Sequence, residues 1–150
     1  MAAEDIGLAD PRALSVCLDA QRMYDILGSP EGELGLFEAV IYLALAPKSN
    51  AAYMGEKAAR SEAKATQHLG VPLHLRNAPT KLMKQIGYGD GYRYAHDAKD
   101  AVVAQRHFPE GMQAPVLYRP TDRGFEKTLR ERLAWLEARR RDKAGEEGKA

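Results

Sequence analysis

One segment of almost purely apolar sequence constrains the fold of this chain more than any other. Ser29-Pro30 precedes it, Pro47 follows it, and between them lies the string LGLFEAVIYLALA. Proline cannot continue a helix, so this punctuation predicts a helix that ends before Pro47. A helix that is apolar on nearly every side is normally buried in the centre of a bundle or at the seam between subunits. The residues assigned to such a core or seam are Leu34, Phe37, Val40, Ile41 and Leu45.

The segments beside this helix carry helix signals of their own. Asp10-Pro11 predicts the start of a first helix and Gly28 its end, because aspartate caps helix N-termini and glycine favours the C-terminal position. An alanine-rich third helix is expected after Ser49 or Asn50. Several residues of the first helix recur at helical spacing and are expected in the core, namely Leu14, Cys17, Leu18, Tyr24 and Leu27.

The second half of the chain is predicted to combine short helices with long turns. The string PTKLMKQI predicts a short helix that ends at Gly87, and DAKDAVVAQRH predicts another with Asp97 as its cap. A last helix is expected to begin near Thr121 or Asp122, with Phe125, Leu129, Leu133 and Leu136 on one face. No strand pattern competes with these helices, so the predicted fold is all-α. One helical domain is expected over residues 1–136, followed by a charged, disordered tail over residues 137–150.

Charge is distributed unevenly along the chain. The total is near neutral, with a formal net charge of +1 and a pI of about 7.9, which does not indicate a general nucleic-acid binder. Residues 1–46, however, carry two basic and eight acidic residues, and subtraction from the totals of 22 and 21 leaves 20 basic and 13 acidic residues beyond them. This asymmetry indicates a polyanionic partner for the second half, or two faces that meet in an assembly.

The single cysteine and the lack of long apolar runs indicate a cytoplasmic protein. Cys17 cannot form an internal disulfide, which fits a reducing compartment. The longest apolar run covers residues 39–46, far less than the roughly 20 residues of a membrane span. We therefore expect neither secretion nor a membrane partner.

The sequence contains no pattern that predicts a catalytic or metal site. Gly87, Gly89 and Gly91 alternate in IGYGDGYRYAHD but lack the lysine and hydroxyl of a phosphate-binding loop. The four histidines are not paired at helical spacing, and zinc-ligand spacing is absent. A small enzyme that uses His74 or His96 in a cleft remains as an alternative, although nothing in the sequence supplies a nucleophile.

Basic and aromatic residues are interleaved between His74 and Arg93. Basic groups for phosphates together with aromatic rings for bases are typical of a strand-binding surface. The alternative is that the tyrosines pack on neighbouring helices through their rings. The candidate nucleic-acid contacts are Arg76, Lys81, Lys84, Tyr92 and Arg93.

An ordered series of strings carries a family resemblance over about residues 3 to 136. These strings are EDIGLADPRAL, GSPEGEL, YLALAPKSN, PLHLRNAPTKLMK, GYGDGYRYAHD and YRPTDRGFEKTLRERL. The chain resembles the C-terminal region of the replication-associated recombination protein A family (RarA, also called MgsA). Its members are AAA+ ATPases related to clamp loaders and to the eukaryotic Werner-helicase-interacting protein.

The resemblance implies an assembly role without catalysis. In the family, ATP and Mg²⁺ belong to an N-terminal AAA+ module with Walker A and Walker B sequences, and this chain has neither sequence. It implies a helical domain, similar to the clamp-loader collar, that holds a homotetramer together in the cytoplasm at the nucleoid. It also implies DNA with single-stranded regions, at stalled replication forks, as a partner of the full-length protein. A freestanding single-stranded DNA-binding module is the main alternative.

Overall fold

The computed structural model describes residues 1–147, and every regular element within them is helical. Five α-helices occur in this part of the chain: α1 (Ala13–Leu27), α2 (Glu31–Leu45), α3 (Ala51–Thr66), α4 (Lys81–Gln85) and α5 (Glu126–Glu147). A π-helical turn and a 3-10 turn precede α1, further 3-10 turns lie between α3 and α5, and no strand occurs within the described range. The all-α prediction is therefore confirmed.

The chain divides into two compact units. The first unit contains residues 1–62 and 116–132, and the second contains residues 63–115 and 133–150. Helices α3 and α5 begin in the first unit and end in the second. No helix in the described part of the chain is both long enough and apolar enough to cross a membrane.

In the first unit, α1 and α2 form a helical hairpin, and the end of α1 and both ends of α2 lie where the sequence predicts them. Helix α1 begins at Ala13, with Arg12 and not Asp10 at its N-cap position and no side-chain cap, so the predicted cap at Asp10 is wrong. The Asp10 carboxylate instead accepts a hydrogen bond from the Arg12 amide at 3.2 Å, in the turn before the helix. Gly28 ends the helix with φ of 64°, a conformation that glycine adopts without strain. The amide of Ala51 donates to the Ser49 hydroxyl at 3.2 Å, which confirms Ser49 as the cap of α3. The signals at Gly28 and Ser49 depend on neighbouring residues only, and for that reason the sequence reveals them.

The predicted core face of α1 is wrong. Leu14, Leu18, Tyr24 and Leu27 are exposed, and Cys17 is only half-buried. The buried residues of this helix are Ala13 and Ala20. The hairpin turns its small residues inward because close approach of the two helix backbones leaves no room for leucines.

Helix α5 begins at Glu126, a few residues later than the sequence predicts. The amide of Phe125 donates to the Ala9 carbonyl at 2.8 Å, and the Arg123 guanidinium donates to the Lys48 carbonyl at 3.1 Å. Residues 121–125 are therefore used in contacts within the first unit and form a turn instead of a helix. Leu129, Leu133 and Leu136 are half-buried, whereas Phe125 is exposed.

The same helix continues through much of the segment predicted as a disordered tail, up to Glu147. Its last turns contain alanine, glutamate, arginine and lysine, which are strong helix formers even without an apolar face. Residues 148–150 lie outside the described part of the chain. The domain boundary at residue 136 stays a prediction.

The second unit confirms the predicted long turns but not the short helix after Asp97. Asp97 ends a 3-10 turn, Ala95–Asp97, and caps no helix. A further 3-10 turn, Lys99–Ala101, contains left-handed residues at Asp100 (φ 66°) and Ala101 (φ 50°), and the backbone of the next residue, Val102, is extended. Left-handed residues interrupt a right-handed helix, so DAKDAVVAQRH does not form the predicted α-helix.

Candidate self-association surface

Helix α2 packs on α1 through its small residues. Gly32, Gly35 and Ala39 are the buried residues of α2. A Cβ atom added to Gly32 would lie 2.5 Å from the Cα of Tyr24, and one added to Gly35 would lie 2.7 Å from the Met23 sulfur. Contacts this close exclude any larger side chain from the inner face. The large apolar residues of α2 must therefore point elsewhere.

The five residues assigned to a core or seam are all exposed in the single chain. Their exposed fractions are 59% for Leu34, 61% for Phe37, 58% for Val40, 46% for Ile41 and 82% for Leu45. Four of them, Leu34, Phe37, Ile41 and Leu45, recur at intervals of three, four and four residues, which places them along one face of the helix. We call these four residues the α2 stripe.

The α1–α2 hairpin exposes further apolar residues, and its charged residues are mostly acidic. Leu14, Leu18 and Ile26 of α1 are also exposed. The charged residues on the two helices are mostly acidic, with a single basic residue, Arg22, among Asp19, Asp25, Glu31, Glu33 and Glu38. A monomeric soluble protein rarely exposes so many large apolar side chains on one hairpin. The arrangement is typical of a surface that another protein covers.

A groove of about 440 Å³ lies at the C-terminal end of the α2 stripe. Apolar atoms make up almost all of its wall. Its lining residues are Asp10, Glu38, Ile41, Tyr42, Leu45, Ala46 and Pro47. Because Ile41 and Leu45 belong to both, the groove and the α2 stripe form one continuous surface.

A polar cluster fixes one wall of this groove. The Tyr42 hydroxyl donates to Oδ2 of Asp10 at 2.5 Å, and Arg12 donates to the same carboxylate through Nε at 3.1 Å and Nη2 at 3.3 Å. The hydrogen bond from Arg12 is the main reason that the pKa of Asp10 is lowered, with a further contribution from Tyr42. This cluster joins the start of α1 to the end of α2, so it holds the groove in shape.

A second polar cluster, around Glu126, is one that the sequence did not reveal. The carboxylate of Glu126 is fully buried and accepts hydrogen bonds from the Ser49 hydroxyl at 2.8 Å and the Tyr118 hydroxyl at 3.0 Å. The amide and hydroxyl of Thr121 donate to it at 2.8 and 2.7 Å. Burial by itself raises the pKa of Glu126, but the hydrogen bonds outweigh burial and the net shift is downward. The cluster ties the starts of α3 and α5 together within the first unit.

The nucleic-acid candidates of the second unit separate into two groups. Arg76 is half-buried and donates to the Val71 carbonyl at 2.6 Å and the Tyr88 hydroxyl at 3.1 Å, with its guanidinium 5.1 Å from the centre of the Tyr88 ring. Arg76 is therefore used in packing. Lys81, Lys84, Tyr92 and Arg93 have exposed side chains, and the Arg93 amide donates to Gln105 at 2.7 Å.

The two histidines considered for catalysis have structural contacts. A ring nitrogen of His74 lies 2.8 Å from the Arg106 carbonyl, at a cleft of about 550 Å³. Arg106 itself donates to the carbonyls of Phe108 at 3.2 Å and Pro109 at 2.9 Å. His96 is exposed, and its ring lies 5.0 Å from that of Tyr94. Within the described residues, no three or more His, Cys, Asp or Glu side chains lie together in a group that could hold a metal ion.

Comparisons with known proteins agree with the resemblance read from the sequence. The family model described as MgsA AAA+ ATPase C terminal matches residues 1–137. The chain is 49% identical to Replication-associated recombination protein A of Escherichia coli (strain K12) over 137 residues, and 51% identical to the protein of that name in Coxiella burnetii over 136 residues. These alignments cover 91% and 90% of this chain, and 31% of each relative.

A eukaryotic relative is more distant. The chain is 41% identical to ATPase WRNIP1 of Dictyostelium discoideum over 111 residues, which are 73% of this chain and 13% of that protein. The chain thus spans less than a third of the length of any of these relatives. By its family match over residues 1–137 and these identities, the chain belongs to the MgsA AAA+ ATPase C-terminal family.

Proposed function

We propose that this domain joins copies of an AAA+ ATPase into a homotetramer and has no catalytic activity of its own. The supporting observation is the α2 stripe, which leaves large apolar side chains in water on a helix whose inner face is built from glycine and alanine. Full burial of one such side chain contributes roughly 1.5 to 3 kcal/mol. Covering the stripe with protein is therefore a strong driving force for association.

A tetramer with dihedral symmetry needs two kinds of contact surface. Four copies with dihedral symmetry meet through two different self-complementary surfaces. The α2 stripe supplies one of them. For the second we propose the exposed residues Leu14, Leu18 and Ile26 of α1.

Light scattering and sedimentation velocity of the chain at micromolar concentration test this proposal. We expect a tetramer, and Phe37→Asp should shift it to smaller species by placing a charge on the α2 stripe. Val116→Asp is a matched control, because Val116 is 62% exposed and Phe37 61%, but Val116 lies outside the hairpin. A wild-type chain that stays monomeric, or equal loss of assembly in both variants, would overturn the proposal.

In the full-length protein we assign ATP hydrolysis and fork remodelling to the rest of the chain. ATP and Mg²⁺ would be held by an AAA+ module, and no residue described above is assigned to them. The substrate class would be DNA with single-stranded regions during recombination and repair, in the cytoplasm at the nucleoid. The names of the bacterial relatives, Replication-associated recombination protein A, support this assignment.

Direct DNA contact by the second unit is a second candidate function. Lys81 and Lys84 project from one face of α4, and the exposed Tyr92 and Arg93 follow in the next turn. Lysine charges near phosphates, together with tyrosine rings stacked on bases, would bind a single strand in a salt-dependent way. Arg76 is not assigned to this surface, because its guanidinium donates hydrogen bonds to the Val71 carbonyl and the Tyr88 hydroxyl.

Fluorescence anisotropy with a labelled single-stranded oligonucleotide tests this second function. The variant Lys81→Glu with Lys84→Glu should weaken binding and reduce its salt dependence. Lys57→Glu with Lys64→Glu, on α3, changes the charge by the same amount elsewhere. Binding that is absent in the wild type, or lost equally in both variants, would remove α4 as a DNA-contacting surface.

A further inference from the structure

The charges near the two ends of α2 have opposite signs. Glu31 and Glu33 lie in the first turn, and the helix contains no lysine or arginine. Lys48 follows the end of the helix, and its ammonium donates to the Leu43 carbonyl. Glu31 and Lys48 are both exposed. The first turn of α2 is therefore acidic, whereas a lysine lies just beyond its last turn.

From this polarity we propose that α2 pairs with α2 of a second copy in antiparallel orientation, about a two-fold axis near residues 39 and 40. This inference rests on the proposed self-association and specifies its register. Leu34 faces Leu45 of the second copy, and Phe37 and Ile41 lie between these two contacts. Leu45 lies eleven positions after Leu34, a distance of about 16 Å along the helix. In this register Glu31 also faces Lys48 of the second copy.

Electrostatics favours antiparallel over parallel pairing. A parallel pair would bring the four glutamates of the two first turns together, and the two Lys48 ammonium groups would also meet. Like charges that face each other destabilise a helix pair, whereas opposite charges and opposed helix dipoles stabilise it. Antiparallel pairing also makes the contact self-complementary, as a closed two-fold interface requires.

The groove beside the α2 stripe supplies a place for the facing leucine. It opens between Ile41, Leu45 and Pro47, at the end of α2 that Leu34 of the second copy reaches only in an antiparallel pair. Helices in contact insert a side chain of one into a hole of the other. The two-fold axis repeats this contact, so two leucines fill two grooves.

Cysteine cross-linking distinguishes the two orientations. In a Cys17→Ser background, we would compare Leu34→Cys, Leu45→Cys and the double variant after oxidation with diamide, on a non-reducing gel. Antiparallel pairing predicts a cross-linked dimer for the double variant and none for either single variant. Cross-linking of both single variants would show parallel pairing and overturn the proposal.

Light scattering of the same samples separates this inference from the proposed function. If the proteins are oligomeric but none of the three variants forms a cross-link, the antiparallel pair is wrong while self-association stands. If the Cys17→Ser protein is monomeric before oxidation, as the wild type then also should be, both proposals fall. Phe37→Asp in the double-cysteine background is the control for random collision and should abolish the cross-link.

Charge reversal tests the register by a second route. Glu31→Lys and Lys48→Glu should each raise the dissociation constant at low salt, by roughly two- to fivefold for a rim ion pair. The combined variant restores opposite charges between the copies and should recover most of the wild-type affinity. If the dissociation constant of the combined variant rises by the product of the two single effects, Glu31 does not face Lys48 of the second copy.

Discussion

Thr121 binds Glu126 with both its backbone amide and its hydroxyl, at 2.8 and 2.7 Å from the same carboxylate oxygen. The Ser49 hydroxyl donates to that oxygen as well, at 2.8 Å. A fully buried carboxylate is costly unless its oxygens are satisfied, and here the donors come from the starts of α3 and α5. The carboxylate of Glu126 therefore links segments of the first unit that are far apart in sequence.

Replacement of Glu126 by alanine should destabilise the first unit. The change leaves the buried Ser49 hydroxyl and the half-buried Thr121 and Tyr118 donors without their acceptor, and a buried unsatisfied group costs about 1 to 3 kcal/mol. We expect a loss of several kcal/mol in the free energy of unfolding, measured with urea at one fixed protein concentration. Glu131→Ala, at an exposed position of the same helix, is the control. Equal stability of the two variants would show that the cluster has no structural role.

Acid should weaken the fold through the same carboxylate. The net effect of burial and hydrogen bonding is a pKa of Glu126 below its ordinary value, so the unfolded chain binds a proton more readily than the folded chain. The stability contributed by this pKa shift is complete above the ordinary pKa, about 4.3 for glutamate. It is lost as the pH falls through the lower folded value.

Urea unfolding between pH 7 and pH 3 would measure this dependence. The slope of unfolding free energy against pH should be smaller in Glu126→Gln than in the wild type, because the variant cannot titrate there. Asp10 shows a lowered pKa as well, chiefly through Arg12, so some acid dependence should remain in this variant. An unchanged slope would mean that Glu126 titrates alike in the folded and unfolded chains.

The close packing of α1 against α2 predicts opposite effects for two glycine substitutions. Gly32→Ala places a methyl group 2.5 Å from the Cα of Tyr24, so the helices must separate. Overpacking of this kind costs about 1 to 3 kcal/mol. Gly145→Ala in α5 meets nothing within 4 Å and should stabilise its helix by roughly 0.5 to 1 kcal/mol. Thermal unfolding followed by circular dichroism compares the two, and a neutral Gly32→Ala would contradict the tight contact.

The antiparallel pair predicts a substitution that strengthens assembly. Glu38 lies one turn or less from the proposed two-fold axis, so the Glu38 carboxylates of two copies repel each other. Glu38→Gln should lower the dissociation constant roughly twofold at low salt, and the gain should fade as salt screens the charges. Glu56→Gln, on α3, serves as the comparison in the same sedimentation experiment. A weaker Glu38→Gln assembly would place this side chain in an attractive contact instead.

The sequence predicted where most helices begin and end, because those signals are local. Asp10, Gly28, Pro47 and Ser49 act on the backbone within a few residues. Which face of a helix is buried depends on the helix that packs against it. Here the buried residues of α2 include two glycines, and the buried residues of α1 are alanines. The burial of Glu126 depends on Ser49, far away in sequence. Periodicity alone could reveal neither the buried face of α1 nor the burial of Glu126. Gly32 and Gly35, two glycines within an apolar helix, were the sequence signal for a close helix contact.

The outward position of the large α2 side chains exposes a single, unassembled copy to aggregation. If copies associate as proposed, a newly synthesised copy carries Leu34, Phe37 and Leu45 in water until another copy covers them. During that interval the stripe adheres to any exposed apolar surface, including that of unfolded chains. Surplus copies would therefore be lost to aggregation or proteolysis sooner than assembled ones.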